Sequence, residues 1–346
     1  MGVTMRAVVK ASPEPGLDWL DVPEPSPGPR EILVRVRYAA ICGTDLHILE
    51  WDPWSRSQLQ PPRIVGHEFS GEVQALGEGV TGLRVGDRIC AETHIPCGRC
   101  VQCLTGDQHL CYNTQLFGVH IDGAFAKYTV LPRVCAWKLP DEIPDEVGAI
   151  MEPMGVAVHG LLVEEVAGRS LAIFGAGPIG LMASAIARAC GAGPIFVVEP
   201  IPERRTFALK MGATQVLDPL SVDVVEAILE WTRGVGTDIV LELTGNPLAY
   251  GPAFQTLRKG GRISLVGVAS GPVTLDINSA MVFKGARCYG ISGRRMFETW
   301  NTMTALVERG ALDPSTLISH RLPLEDFREG FRLAREGRGG KVVLVP

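Results

Sequence analysis

The segment Gly175-Ala176-Gly177-Pro178-Ile179-Gly180 sits between a short apolar run, Leu171 to Phe174, and a stretch with helical spacing, Pro178 to Cys190. Glycines at these spacings permit a tight turn and a close backbone approach to a pyrophosphate, whose charge the amino terminus of the following helix favours. Pro178 suits the first helical turn, where its missing N–H is not needed. Glu199 ends the next apolar run, Ile195 to Val198, about twenty residues on, where an acid that bonds an adenosine ribose is expected. Strand, turn, helix and acid in register predict a βαβ unit that binds a dinucleotide. Glu199 favours NAD, because a carboxylate there repels the 2'-phosphate of NADP, although Arg204 nearby offsets part of that charge.

From about Val156 onward, apolar strands alternate with helical stretches such as Glu203 to Met211, with later strands at Asp238 to Leu243 and Arg262 to Val266. That alternation predicts an α/β fold, a doubly wound parallel sheet with helices on both faces. The first third reads differently. Strands are expected at Met5 to Lys10 and at Ile32 to Tyr38, where Val34, Val36 and Tyr38 alternate with Arg35 and Arg37, and Pro23, Pro25, Pro27, Gly28 and Pro29 punctuate the stretch between them. This region is β-rich and barrel-like. The tail, with helical spacing at Phe297 to Glu308 and Leu324 to Arg335 and a last strand at Lys341 to Val345, is expected to return to the first domain. A length of 346 residues accommodates two domains of about 100 to 200 residues each.

A net charge of −5, without a long run of lysine or arginine, gives no footprint for nucleic acid or an anionic membrane. Apolar runs fall far short of the roughly 20 residues that cross a bilayer, and no signal-peptide pattern opens the chain. A soluble cytoplasmic protein with a small-molecule partner is expected.

Nine cysteines include four in one short segment, Cys97, Cys100, Cys103 and Cys111, with Gly98 and Gly106 among them. Four thiolates so spaced can wrap one tetrahedral ion with no open position, a structural zinc site. A second constellation is dispersed: Cys42 in Cys42-Gly43-Thr44-Asp45-Leu46-His47, then His67-Glu68, then Glu152. One thiolate, one imidazole and carboxylates can hold zinc and leave a place for a substrate oxygen. Taken singly, Cys42 also fits a small buried apolar residue and His67 a hydrogen-bonded structural one.

Gly66-His67-Glu68, followed by Gly71, Gly77 and Val80, with Gly86-Asp87-Arg88, the four-cysteine lobe and the glycine turn, resembles the zinc-dependent medium-chain alcohol dehydrogenases over nearly the whole chain. The resemblance implies a GroES-like catalytic domain at 1–155, a Rossmann NAD domain at 156–294 and a segment 295–346 that rejoins the first. It implies two zinc ions, one catalytic and one structural. Cys42, His67 and Glu68 are implied around the catalytic zinc, Glu152 beside it, and Thr44 with His47 as a relay that passes the alcohol proton to water. Ile179, Glu199 and Arg204 match NAD-contacting positions, and Val266, Gly267, Val268, Ile291 and Ser292 match those around the nicotinamide half.

Within the family, Ile41 to Ile48, Trp51-Asp52, Trp54-Ser55, Glu152-Pro153 and Gly293 to Trp300 are similar to the branch that oxidises L-threonine at its hydroxyl, which implies a homotetramer. Polyol or vicinal-diol oxidation is the nearest rival, and a non-catalytic NAD-binding redox sensor is the alternative of a different class. In Gly155-Val156-Ala157-Val158-His159-Gly160 the chain departs from that branch, Val156 and Gly160 standing where it carries an amide and a hydroxyl. An amino-acid substrate needs a cation for its carboxylate, and Arg294 is the candidate, against a surface or subunit-interface role for the same residue.

Overall fold

A computed structural model describes residues 2–337 and 339–346. The amino-terminal region forms a three-stranded sheet, Asp18–Pro23, Thr4–Lys10 and Arg63–Ile64 in that order, and a larger curved sheet running Ala136–Lys138, Arg88–Ala91, Glu68–Leu76, Glu31–Ala40, Lys341–Val345 and Ile318–Pro323, with Tyr128–Pro132 also on Glu31–Ala40. Along Glu31–Ala40 the inward Ile32, Val34 and Val36 are buried and Arg35 is exposed, the alternation expected of a sheet with one covered face. Each such aliphatic side chain stabilises the fold by about 1.5 to 3 kcal/mol.

Pairing in this sheet assembles the first half of the site. Ala40 lies opposite both Glu68 and Val343. Chain ends that meet there bring Cys42, His67 and the last strand together, although they are far apart in sequence. The tail therefore packs back on the amino-terminal sheet.

The second sheet has six parallel strands in the order Gln215–Leu217, Ile195–Val198, Leu171–Phe174, Thr237–Glu242, Leu257–Leu265 and Arg287–Gly290. Counted along the chain this is the order 3-2-1-4-5-6, so the strand order reverses between Leu171–Phe174 and Thr237–Glu242, where a doubly wound sheet opens a ligand crevice at its carboxyl edge. The glycine turn leaves the first of these two strands. The helices Pro178–Ala189 and Pro202–Lys210 follow within a residue of expectation. Both α/β and GroES-like architectures are thus present.

The helix Asp145–Leu161 joins the two sheets, buried along most of its length and continuous through residues 155 and 156. It packs on Glu68–Leu76, Pro178–Ala189 and Glu298–Glu308, and it carries Glu152 between the domains. Among the described residues no helix is long and apolar enough to cross a membrane.

Candidate metal centres and cofactor cleft

Cys42 is the amino-terminal cap of the helix Gly43–Glu50, so Thr44 and His47 ride on a helix. Asp45 at the third helical position accepts a hydrogen bond from the Cys42 amide at 2.9 Å, the return half of a capping box. Ligand atoms of Cys42, His67 and Glu68 all lie within 4.8 Å of one another. Thr44 Oγ1 is 3.8 Å from Cys42 Sγ. His47 Nδ1 is 2.8 Å from Asp52 Oδ2.

The electrostatics of this cluster suit a cation. Glu68 is fully buried and its Oε1 has no hydrogen-bond partner, an arrangement that costs free energy unless a positive group approaches. Burial opposes protonation of His67, but the Asp45 carboxylate and the Cys42 sulfur outweigh it and push its pKa up to about 10. Asp45 Oδ1 lies 3.6 Å from His67 Nδ1, beyond hydrogen-bond reach, so it acts on the ring as a nearby charge. Burial raises the carboxyls of Asp45 and Glu68. A divalent ion between Cys42, His67 and Glu68 reverses that cost, so the donor set fits zinc, with room for a further ligand.

Glu152 stands outside the three-residue cluster and next to it. Thr93 Oγ1 donates to Glu152 Oε1 and lies 3.4 Å from the His67 carbonyl, linking the two. Arg294 Nη1 is 2.7 Å from the same Glu152 oxygen. Its Nε also donates to Glu92 Oε2 at 2.9 Å, and its Nη2 ion-pairs with Glu92 Oε1. Arg294 is therefore neither a surface residue nor a free receptor for a carboxylate. It is 2% exposed and its fork is filled by two acids. Gly155 makes this possible, because a Cβ there would come within 2.7 Å of Arg294 Cδ. Trp300 Nε1 donates to Glu92 at 3.0 Å, and Glu92 also receives the His94 amide at 3.0 Å.

In the other cluster the sulfurs of Cys97, Cys100, Cys103 and Cys111 also lie within 4.8 Å of one another. Gly98 and Gly106 adopt φ of +71° and +96°, left-handed values that glycine takes without strain and that fold the lobe around the sulfurs. The Arg99 amide leads in bringing the Cys97 thiol down to about 6, whereas burial and the neighbouring sulfurs push Cys103 up to about 12. One divalent ion shared by all four removes that conflict, so this set too fits zinc.

Along the carboxyl edge of the parallel sheet, Gly175 has φ of +100°, and a Cβ on Gly180 would come within 2.0 Å of the Gly175 carbonyl oxygen. The two glycines thus permit the turn and the close packing of helix on strand. Glu199 Oε2 accepts the Ala176 amide at 2.8 Å, Oε1 accepts the Ile201 amide at 3.0 Å, and Arg204 Nη1 lies 3.9 Å from Oε2. Gly175, Gly177, Glu199 and Arg204 line one cleft of about 740 Å3. Arg204 also reaches the end of the helix Phe327–Glu336, donating from Nε to the Gly337 carbonyl at 2.6 Å. Ile179 is half-buried at the start of its helix. Val266 and Gly267 donate their amides to the Glu242 carbonyl, Val268 is exposed, and the Ile291 amide bonds the Leu265 carbonyl, with Ser292 next to it and exposed. All leave the sheet at the same edge as the glycine turn. A second cleft, of about 400 Å3, is lined by Cys42 and Gly43 on one side and Pro178 and Arg204 on the other, so the metal cluster and the dinucleotide turn face each other.

Asp45, Thr93, Lys341 and Glu92 at this site carry no assignment from the sequence alone. Asp45 stands inside the Cys42 motif, and its position three residues after a helix cap was the available signal. Lys341 is the one charge in the apolar strand Lys341–Val345, and it ion-pairs with Glu68. Nothing local marked Glu92 as the partner of Arg294.

Comparison with known proteins places this geometry. Residues 28–141 match the family description of an alcohol dehydrogenase GroES-like domain, and residues 178–309 that of a zinc-binding dehydrogenase. The chain is 43% identical to an L-threonine 3-dehydrogenase of Pyrococcus furiosus, over 100% of this chain and 99% of that one. Among solved structures it superimposes on an alcohol dehydrogenase of Escherichia coli CFT073 complexed with NADH, with TM-score 0.92, 26% identity and all of both chains covered. It also matches the 2R,3R-butanediol dehydrogenase of Bacillus subtilis, with TM-score 0.89, 30% identity and 99% of each chain covered.

Proposed function

The chain belongs to the zinc-binding, GroES-like alcohol dehydrogenase family, and we propose that it is an NAD-linked L-threonine 3-dehydrogenase, oxidising the secondary hydroxyl of L-threonine to 2-amino-3-oxobutanoate. The observation that carries this reading is the cluster of Cys42, His67 and Glu68 across an interdomain cleft from the glycine turn. Its full-length likeness to the P. furiosus threonine dehydrogenase supplies the substrate.

In this reading Cys42, His67 and Glu68 hold a catalytic zinc, and Cys97, Cys100, Cys103 and Cys111 hold a structural one. When bound, zinc supplies Lewis-acid polarisation of the substrate hydroxyl and NAD accepts the hydride. Thr44 takes the hydroxyl proton into a hydrogen bond, and His47 passes it to water. Glu152, held between Thr93 and Arg294, keeps a negative group beside the reacting centre. Glu199 would bond the adenosine ribose, Arg204 and the turn at Gly177 to Ile179 would face the phosphates, and Val266 to Val268 with Ile291 and Ser292 would flank the nicotinamide. The division at 1–155, 156–294 and 295–346 belongs to the same reading, with Asp145–Leu161 bridging its first boundary. The edge strand Arg287–Gly290, open at its outer side, and the exposed Ile277, Val282 and Phe283 support self-association, and with it a homotetramer.

One observation favours a second substrate. With Arg294 held by Glu92 and Glu152, the cation singled out for a carboxylate is occupied, which suits an uncharged vicinal diol. Initial rates of NADH formation with L-threonine, polyols and 2,3-butanediol separate the two. The highest kcat/KM is expected for L-threonine, and a clear preference for the diol overturns the threonine assignment.

A further inference from the structure

His47 is 58% exposed, yet its surroundings are built with more care than a surface imidazole needs. The helix Gly43–Glu50 ends at Trp51, which adopts the left-handed conformation at φ 54° and ψ 47°. That corner is fixed on three sides. The Trp51 ring is buried with Lys10 Nζ 4.7 Å from its centroid, its carbonyl accepts Arg56 Nε at 2.8 Å, and its amide returns to the Ile48 carbonyl at 3.3 Å. The reversal carries Asp52 back over the helix end, where its two oxygens are divided. Oδ1 accepts the Ser55 amide at 2.8 Å and caps the helix Pro53–Gln58, and Oδ2 lies 2.8 Å from His47 Nδ1.

We propose that Asp52 is the positioning residue of the proton path, fixing the ring and the tautomer of His47; this rests on reading His47 as the relay. An ionised carboxylate can only accept, so the proton of a neutral His47 must lie on Nδ1. The lone pair is then on Nε2, the nitrogen that Asp52 does not engage, which makes Nε2 the atom that receives a proton. When His47 becomes charged, the carboxylate already stands beside it, and no side chain has to reorganise. Burial opposes ionisation of Asp52, but the Ser55 cap and the His47 contact outweigh it and hold its carboxyl below the ordinary range. Asp52 therefore remains an acceptor near neutral pH.

The substitution Asp52→Asn separates this role from capping. Asparagine caps a helix about as well as aspartate, so its oxygen stays on the Ser55 amide. Its NH2 group then faces Nδ1, donates where the carboxylate accepted, and forces the His47 proton onto Nε2. A carboxylate-to-amide change that leaves geometry intact and installs the wrong tautomer is costly in the Ser-His-Asp hydrolases. Here, with the ring open to water, a fall in kcat of about tenfold is expected, below the about 100-fold to 10,000-fold typical of losing an acid–base group outright. NAD affinity and zinc content should stay unchanged.

The test combines solid-state nitrogen-15 spectra of histidine-labelled enzyme, in which His47 is assigned by its loss in His47→Asn, with kcat across pH for wild type, Asp52→Asn, His47→Asn and the double variant. Support is a wild-type signal from the Nδ1–H tautomer, its exchange for Nε2–H in Asp52→Asn, a lowered kcat, and no further loss when Asp52→Asn is added to His47→Asn. An unchanged tautomer overturns the proposal, as does a changed tautomer with wild-type kcat while His47→Asn is slow. If His47→Asn itself turns over normally at every pH, the relay reading fails, whatever the spectra show for Asp52.

Discussion

The buried ammonium of Lys341, on the last strand, is ion-paired with Glu68, the residue that directly follows His67, and also donates to the Ile41 carbonyl next to Cys42 at 2.7 Å. One carboxylate oxygen is thus held at the rear of the cluster and the other, Oε1, is left without a hydrogen bond. The pair joins the two ends of the chain at the residues that hold the metal in our reading.

Replacing Lys341 by Met should destabilise the protein by about 3 to 5 kcal/mol, the cost of leaving a buried charge without its partner. Adding Glu68→Gln to Lys341→Met should return part of that loss, since the uncompensated carboxylate is gone. Chemical denaturation of the single and double variants, with the Cys42 site freed of metal, measures both. Equal destabilisation by the two would mean that Lys341 acts through packing alone.

Zinc should be present at both clusters and leave them at different rates. Four cysteines close one site, whereas Cys42, His67 and Glu68 leave a position for substrate. A chelator should abolish activity well before it unfolds the protein, and elemental analysis at the point of inactivation should find one ion left per chain. Simultaneous loss of activity, metal and ellipticity would contradict two sites of different lability.

Glu199 should select NAD over NADP. Its oxygens also order the turn by accepting the Ala176 and Ile201 amides, so Glu199→Ala alters structure as well as charge. Glu199→Gln removes the charge with less loss of acceptors and should narrow the preference, raising kcat/KM for NADP relative to NAD. A wild type that uses NADP more efficiently would refute the assignment.

Much of this was legible in the sequence because it is local. The turn at Gly175 to Gly180, the strand Leu171–Phe174 and the acid at Glu199 are set by residues within one βαβ unit, and the four cysteines by one short lobe. What was not legible depends on pairing between distant strands. Arg294 looked like an available cation because its partners Glu92 and Glu152 lie far away in the sequence, and only the packing against Gly155 shows that its fork is filled. The helix Gly43–Glu50 leaves no clear periodic pattern in the sequence because it is short, with Gly43 at its first position, a poor helix former.

The Glu92–Arg294 pair should leave a signature in the pH dependence of stability. Burial opposes ionisation of Glu92, but Arg294 and then His94 outweigh it and hold the carboxyl well below the ordinary range. A group whose pKa is depressed on folding contributes stability that is complete above its unfolded pKa, about 4.3 for glutamate, and is lost as pH falls toward the folded value. Glu92→Gln should therefore be less stable than wild type by about 3 to 5 kcal/mol near neutral pH. The difference should shrink below about pH 4.3. Urea midpoints of both proteins from neutral pH to pH 3 test this, and a gap that widens on acidification would reverse the sign and sink the account.

The proton path gives the last prediction. Thr44 lies against the Cys42 sulfur, and His47, one helical turn further, is exposed, so the two stand in sequence from the metal cluster toward water. Neither is among the clustered ligand atoms, and neither lines the dinucleotide cleft at Glu199. His47→Asn should therefore keep both zinc ions and near-normal NAD affinity while lowering turnover and altering its pH profile. Loss of one general acid–base group costs about 100-fold to 10,000-fold, and the low end or less is expected here, because water has direct access to the position His47 vacates. Thr44→Val, which removes the hydroxyl closest to Cys42 where water has less room to substitute, should cost more than His47→Asn. Metal content, NAD binding and kcat across pH in the two variants decide the matter. Lost zinc in His47→Asn would show a structural role, and a smaller effect at Thr44 than at His47 would place the proton on another route.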